Sequence, residues 1–397
     1  MERKPNYSLR QIVLYFLKLG YAGFGGPVAL VGYMHRDLVE KRKWISEEEY
    51  KEGMALAQLS PGPLAAQLGI YLGFVHYGVW GATLVGIAFV LPSFLMVLAI
   101  GIAYKIYGGL PWMQAVFYGV GASVIGIIVL SAYKLTLKSI SKLNADAIRQ
   151  NGLLWAFYVF AGAFTVITQS EPVTLFIAAG FIYMLVKAPP ASWKGAAPAF
   201  ILVLSAPSVI WIEHTERLTD IGWFFTKAGA FVFGSGLAIV PFLHTGVVSQ
   251  FGWLNEKQFL DAVAVAMITP GPVVITVGFI GYLAAGVTGA CVAALATFLP
   301  CYLLTVIPAP YFKKIAKNQS IKAFVDGITA AVIGALAGAV IVIAINTFTQ
   351  NHSVTMDIPS VLIAIATVMA LLKVKKVSEP ILIAVAAGLG LVLKLAM

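Results

Sequence analysis

The chain has 397 residues, 60% hydrophobic and only 11% charged, with a mean hydropathy of +0.89. A soluble globular domain is roughly a quarter charged, so the composition excludes one and points to a polytopic protein in a bilayer. The net charge of +10 then reads as basic loops at the cytoplasmic face of a lipid bilayer, with no nucleic-acid partner expected.

In chain order, apolar runs fall at about 12–34, 53–76, 80–104, 112–133, 152–168, 173–187 and 198–212, then at about 223–243, 262–285, 287–307, 324–345, 358–372 and 380–393. These predict an all-α polytopic membrane protein. Residues 1–11 precede an apolar stretch that contains Lys18 and lacks a small-residue cleavage site, so a removed signal peptide is not expected. Cys291 and Cys301 share one apolar segment, and the five histidines lie scattered near segment ends. Neither a disulfide framework, a metal site nor a cofactor is suggested, and an enzyme is not expected without a nucleophile, metal or acid–base cluster.

Two long segments are copies of one another. Phe24-Gly25-Gly26-Pro27, Trp44-Ile45-Ser46-Glu47 and Ser60-Pro61-Gly62-Pro63 recur as Phe233-Gly234-Ser235-Gly236, Trp253-Leu254-Asn255-Glu256 and Thr269-Pro270-Gly271-Pro272, each displaced by 209 positions. After a one-residue deletion, Gly73, Gly81, Pro92, Gly119 and Gly126 meet Gly281, Gly289, Pro300, Gly327 and Gly334. The predicted organisation is an N-terminal repeat at 1–190, a connecting segment with one extra transmembrane helix at 191–221, and a C-terminal repeat at 222–397.

The loop charges reverse between the copies. Loop 35–52 carries Arg36, Lys41, Arg42, Lys43 and Lys51, against Lys257 alone in 244–261. Lys105 stands alone in 104–115, against Lys313, Lys314, Lys317 and Lys322 in 312–323; loops 134–150 and 169–172 reverse against their counterparts in the same way. Because Lys and Arg set orientation, the second repeat is expected to be inserted upside down. Two apolar segments separate a cytoplasmic 35–52 from an outside 104–115, so one of them must enter and leave on one side. The segment 53–76, broken by Ser60-Pro61-Gly62-Pro63, is the better candidate for such a re-entrant helical hairpin, and 12–34 is a second. Kinks in full spans are the alternative, which would put some lysine-rich loops outside.

Candidate substrate groups follow from this topology. Lys18 and Lys227 occupy the same repeat position inside the apolar hairpins, and either they meet an anion together or each snorkels to the interface. Where a membrane helix breaks, unpaired N–H groups and the positive dipole end favour an oxyanion, and glycine lets the backbone approach it. Gly25, Gly26 and Gly62, with Gly234, Ser235 and Gly271 in the second copy, are therefore candidates. Ser60 and Thr269 would donate hydroxyls from N-cap-like positions, and Gln58 and Gln67 add amides in repeat one only. His35 and His244, another equivalent pair, read as helix caps or solvated loop residues rather than proton-coupling groups. Glu47-Glu48-Glu49 reads as the charged first turn of an interfacial helix capped by Ser46.

The Phe-Gly-Gly-Pro segment, the basic loop ending in Trp44-Ile45-Ser46-Glu47-Glu48-Glu49-Tyr50, Gln58-Leu59-Ser60-Pro61-Gly62-Pro63 and Phe89-Val90-Leu91-Pro92-Ser93-Phe94 together resemble the chromate ion transporter superfamily in its long, two-domain form. Repeat two carries a degenerate set, departing from Gly-Gly-Pro with Gly234-Ser235-Gly236. The resemblance implies multi-pass residence in the bacterial inner (plasma) membrane and export of chromate from the cytoplasm, conferring chromate resistance, with sulfate as a competing ligand. Alternating access at the repeat interface is the expected mechanism. Export of a dianion from a negative-inside cell is favoured by about 2.3 kcal/mol per charge per 100 mV and needs no coupled ion. A proton- or sodium-coupled uptake carrier for sulfate or a related oxyanion is the alternative; it requires a buried carboxylate, and the acidic residues nearest the membrane segments, Asp326 and Asp37, lie at segment ends. The sequence leaves a homodimer open.

Overall fold

A computed structural model describes residues 5–24, 26–140, 150–170, 173–190, 217–231, 236, 239–312, 318–349, 357–374 and 379–395, all of them in helices or their connections. The helices are α1 (Leu9–Ala22), α2 (Gly26–Met34), α3 (Glu47–Leu59), α4 (Leu64–Tyr107), α5 (Pro111–Ser139), α6 (Gly152–Thr168) and α7 (Val173–Lys187). They continue as α8 (Arg217–Phe231), α9 (Ile239–His244), α10 (Glu256–Ile268), α11 (Thr276–Val306), α12 (Gln319–Phe348), α13 (Ile358–Lys373) and α14 (Glu379–Leu395). Among the described residues four helical stretches, Leu64–Tyr107, Pro111–Ser139, Val273–Tyr311 and Gln319–Phe348, are long and apolar enough to cross a membrane. The predicted segment 198–212 lies outside the described residues.

Local chemistry sets the helix ends. Ser8 caps α1, Ser46 caps α3 and Asn255 caps α10; each side chain accepts from the backbone of the third helical residue, Gln11, Glu49 or Gln258, whose own side chain returns the bond. The Ser46 cap and the acidic first turn of α3 are those expected from sequence. π-helical turns at His35–Lys41 and Thr245–Gln250 carry the chain from α2 to α3 and from α9 to α10.

The long helix α4 is two helices. Gly78 adopts φ 56° and ψ −148°, and a side chain there would meet nothing within 4 Å, so glycine serves the backbone angle rather than space. The chain doubles back at this residue: a Cβ on Gly81 would touch the Gly73 carbonyl at 2.1 Å, although the two lie eight residues apart. In α11, Gly286 adopts φ 67° and ψ −156°, and Gly281 and Gly289 meet in the same way.

The segment α3 followed by the first half of α4 is a hairpin with its tip at residues 60–63. Gly53 on α3 packs against Tyr71 on α4, and Glu49 near the start of α3 reaches His76 at 3.2 Å, so the hairpin ends where it began. The segments α1 and α2 form a second hairpin, which turns after Gly23 and Phe24. Its ends meet where Tyr7 stacks on Trp44 at 4.9 Å. The Tyr7 hydroxyl also bonds His76 Nδ1 at 2.7 Å, and the Tyr77 hydroxyl donates to the Tyr7 carbonyl. One aromatic cluster thus ties together the open ends of both hairpins.

Behind the hairpins the halves of the chain interlock. Helices α6 and α7 pack on α12, and α13 and α14 pack on α5, so each terminal pair lies against a long helix from the other half. Small residues make this possible: a Cβ on Gly119 would meet the Ala386 carbonyl at 1.9 Å, and one on Gly334 the Tyr158 carbonyl at 2.2 Å. The largest buried cluster, around Phe225, Phe259, Phe279 and Val124, joins α5 to α8, α10 and α11.

Candidate functional site at the helix breaks

Each Pro-Gly-Pro break is seated on the opposite half of the chain. The Gly271 N–H donates to the Gly23 carbonyl at 2.9 Å, and a Cβ on Gly271 would meet Ser93 Oγ at 1.9 Å. Ser93 lies on the second half of α4, buried, and its hydroxyl donates to the Gly20 carbonyl at 3.2 Å. In the other break a Cβ on Gly62 would stand 3.0 Å from Cys301 Sγ on α11, and the Ser60 hydroxyl donates to the Leu304 carbonyl at 3.2 Å. Gly62 and Gly271 take φ 137° and 99°, values that a side chain would strain.

The candidate residues fall in different places. Gly25, Gly234 and Ser235 lie outside the described residues, whereas Gly26 opens α2 at φ 72°, where a Cβ would stand 3.6 Å from Glu379 of α14. Ser60 and Thr269 are not N-cap-like donors: they end α3 and α10 as C-caps, with their hydroxyls given to the Leu304 and Ala266 carbonyls. The reason is the following Pro-Gly-Pro, which adds three residues before the next helix begins and so leaves Pro63 as the N-cap of α4. Gln58 is exposed on α3. Gln67 is fully buried, its Nε2 donating to the Pro61 carbonyl at 2.6 Å, while its Oε1 has no partner among the described residues. A buried amide oxygen left unpaired is costly and marks a place for a donor.

Lys18 and Lys227 are not brought into one cavity. Lys18 is exposed on a cleft of about 330 Å³ beside Gly23, together with Arg36, Asp37 and Arg42. Lys227 is half-buried over the Trp223 ring at 5.6 Å and does not line that cleft.

Three features escape a reading of the sequence alone. Asp261, placed in a loop by its position at a segment edge, is buried, and the Tyr104 hydroxyl of α4 donates to its carboxylate at 2.6 Å. The chain therefore does contain the buried carboxylate that a coupled carrier requires. The equivalent histidines also differ from expectation: His35 bonds Glu47 at 2.9 Å, and His244, which is buried rather than solvated, bonds Glu256 at 2.7 Å. The His35 and Lys51 bonds hold the Glu47 carboxyl below its ordinary range. Burial pushes Glu256 up, but the bonds from His244 and Asn346 outweigh it and leave the group low. The third feature is the grouping of Arg36 and Arg42 around Lys18, which needs the α1–α2 hairpin to close.

Buried breaks in apolar helices, seated on partner helices that are themselves long enough to span, define an all-helical, multi-pass membrane protein with irregular backbone held inside it. The signature of the chromate transporter family matches residues 10–184 and 219–391, and the chain belongs to that family. It is 62% identical to a chromate transport protein of Cupriavidus metallidurans over 98% of this chain and 94% of that protein. It is 58% identical to a probable chromate transport protein of Synechococcus elongatus, covering 98% and 96%. A chromate transport protein of Pseudomonas aeruginosa is 29% identical, covering 88% and 85%. No solved structure matches the chain.

Proposed function

We propose that the protein exports chromate, a tetrahedral oxyanion, from the cytoplasm across the plasma membrane, conferring chromate resistance by alternating access between two inverted repeats. The observation that carries this reading is the meeting of the Gly23 and Gly271 breaks, one from each repeat, through an N–H···O bond at 2.9 Å. Motion of one hairpin against the other breaks that bond and frees backbone donors at the interface for a dianion. The reversed loop charges support the inverted insertion, and the closed hairpins tied at Tyr7 support re-entry from the basic side. The related chromate transport proteins support the substrate. Sulfate, of the same shape and charge, competes, since a pocket separates such near-isosteres by only about 1–3 kcal/mol.

Buried Asp261, bonded to Tyr104, favours a second reading: proton-coupled uptake of sulfate or a related oxyanion. One experiment separates the two. Labelled chromate and sulfate are offered to inverted and right-side-out vesicles, with and without an imposed potential or pH gradient. Accumulation of chromate in inverted vesicles, driven by potential alone, is the expected result. Accumulation only in right-side-out vesicles under a proton gradient overturns export.

A further inference from the structure

Among the described residues, the lining of the cleft beside Lys18 is not reproduced in the second repeat. It opens between α1, α2 and the π-helical turn, and its lining carries Lys18, Arg36 and Arg42 against the single carboxylate of Asp37, leaving two net positive charges. Asp37 is engaged by Arg36 at 3.0 Å and by Lys41 at 3.6 Å. Neither Lys18 nor Arg42 has a carboxylate partner among the described residues. The Arg42 guanidinium instead lies over two rings, Trp44 at 4.6 Å and Tyr15 at 5.2 Å, which hold it in place without neutralising it. Tyr15, a wall of the cleft, buries a hydroxyl that has no hydrogen-bond partner among the described residues. Gly23 forms the inner wall, and its carbonyl is the acceptor for Gly271, so the cleft abuts the meeting of the two breaks.

At the same displacement in the second repeat stand Phe224 for Tyr15, Phe242 for Tyr33, Thr245 for Arg36, Gly246 for Asp37 and Phe251 for Arg42. These residues fill the space. Phe224 stacks on Phe242 at 5.3 Å and meets Phe251 edge-on at 5.7 Å, while Phe251 stacks on Trp253 at 4.4 Å. A Cβ on Gly246 would lie 2.0 Å from the Phe224 ring, so the ring occupies the room that Asp37 has in the first copy.

Resting on the oxyanion-transport reading, we propose that this cleft is the admission site for a tetrahedral dianion, bound by Lys18, Arg36 and Arg42, and that the aromatic block denies the second repeat an equivalent site. Two net positive charges match a dianion, guanidinium groups bind tetrahedral oxyanions through paired N–H donors, and Gly23 lies next on the path inward. Uptake kinetics then differ between the two faces of the membrane.

The test uses the full-length protein in inverted and right-side-out vesicles, with Arg36→Gln, Arg42→Gln and Arg42→Lys variants whose membrane levels are matched to wild type. For chromate offered to the cleft face, KM should rise roughly three- to tenfold in each Gln variant, and less in Arg42→Lys, which keeps the charge but loses the paired donors and the stacking. From the cleft face the change should lie in KM, and from the opposite face, where kcat/KM must fall by the same factor, it should lie in the maximal rate. Unchanged KM in both Gln variants overturns the admission site even though transport persists. Loss of chromate movement in wild type overturns the transport reading instead; direct binding of labelled sulfate to purified wild-type and Gln variants then tests the cleft, and equal binding refutes it.

Discussion

The lysine pair shows how one repeat position acquires two environments. Lys18 faces a basic cleft, whereas Lys227 lies against Trp223 beside the aromatic block, because the polar and charged cleft neighbours Tyr15, Tyr33, Arg36, Asp37 and Arg42 are all exchanged in the second copy. Lys18→Gln should therefore lower chromate resistance more than Lys227→Gln at equal membrane level, measured as growth across a chromate series; equal effects would argue for a shared site. The His244–Glu256–Asn346 group has a different role, joining the α9 turn, α10 and α12. Glu256→Gln should cost roughly 1–2 kcal/mol at neutral pH, read as a lowered thermal midpoint in detergent. The sign of its pH dependence follows from the depressed carboxyl: its stabilisation is complete above the ordinary glutamate range and is lost as pH falls through the lowered value. The difference between variant and wild type should shrink in acid.

Among the elements, breaks and small-residue contacts divide the work. Helix α1, with 14 residues, is about 21 Å long and α3, with 13, about 20 Å, both short of a hydrocarbon core of about 30 Å. Short helices ending in glycine and proline place irregular backbone inside the protein, where side chains such as Gln67 and Thr276 close it by bonding the Pro61 and Val273 carbonyls. Gly271→Ala combines a strained φ with a clash against Ser93 Oγ and should abolish transport; Ser93→Ala in the same chain should restore part of the folded yield, read by size-exclusion profile in detergent. The long-helix contacts make a sharper contrast. Gly119→Val drives a side chain into the Ala386 backbone and should remove most folded protein, whereas Gly109→Val, with nothing within 4 Å, should leave the yield unchanged.

For the whole molecule, the exchange of terminal helix pairs makes each half a structural part of the other. Halves 1–190 and 191–397 expressed separately should be degraded, because the faces of α5 and α12 are then uncovered, and co-expressed halves should purify together. The same exchange directs the proposed motion. In the proposed mechanism the interlocked long helices form a frame, and the hairpins that turn after Phe24, at 60–63 and at 269–272 move within it. Inverted insertion is tested separately by cysteine labelling: positions in 134–150 should react from the cytoplasm and those in 346–357 from outside. Labelling of both on one side refutes the inversion.

Much of the architecture was readable from spacing and composition. The limits of α6 and α7 fall at the ends of their apolar runs, and the double-back at Gly78 falls in the gap between 53–76 and 80–104, because apolar length and glycine act locally. The duplication was legible through Phe24, Ser60 and their counterparts, since a copied motif needs no folding to be seen. The candidate site was less legible. Spacing puts Ser60 and Thr269 at the wrong helix end and Asp261 at the edge of a loop, and it gives Arg36 and Arg42 only as loop charges. Each of these depends on which chain segments come together. Sequence spacing reports neighbours along one helix, but Ser60 on Leu304, Tyr104 on Asp261 and Arg42 over Tyr15 meet across hairpins or across repeats. Periodicity and charge determine which segments enter the membrane; packing alone decides that one copy keeps a basic cleft and the other fills it with aromatic rings.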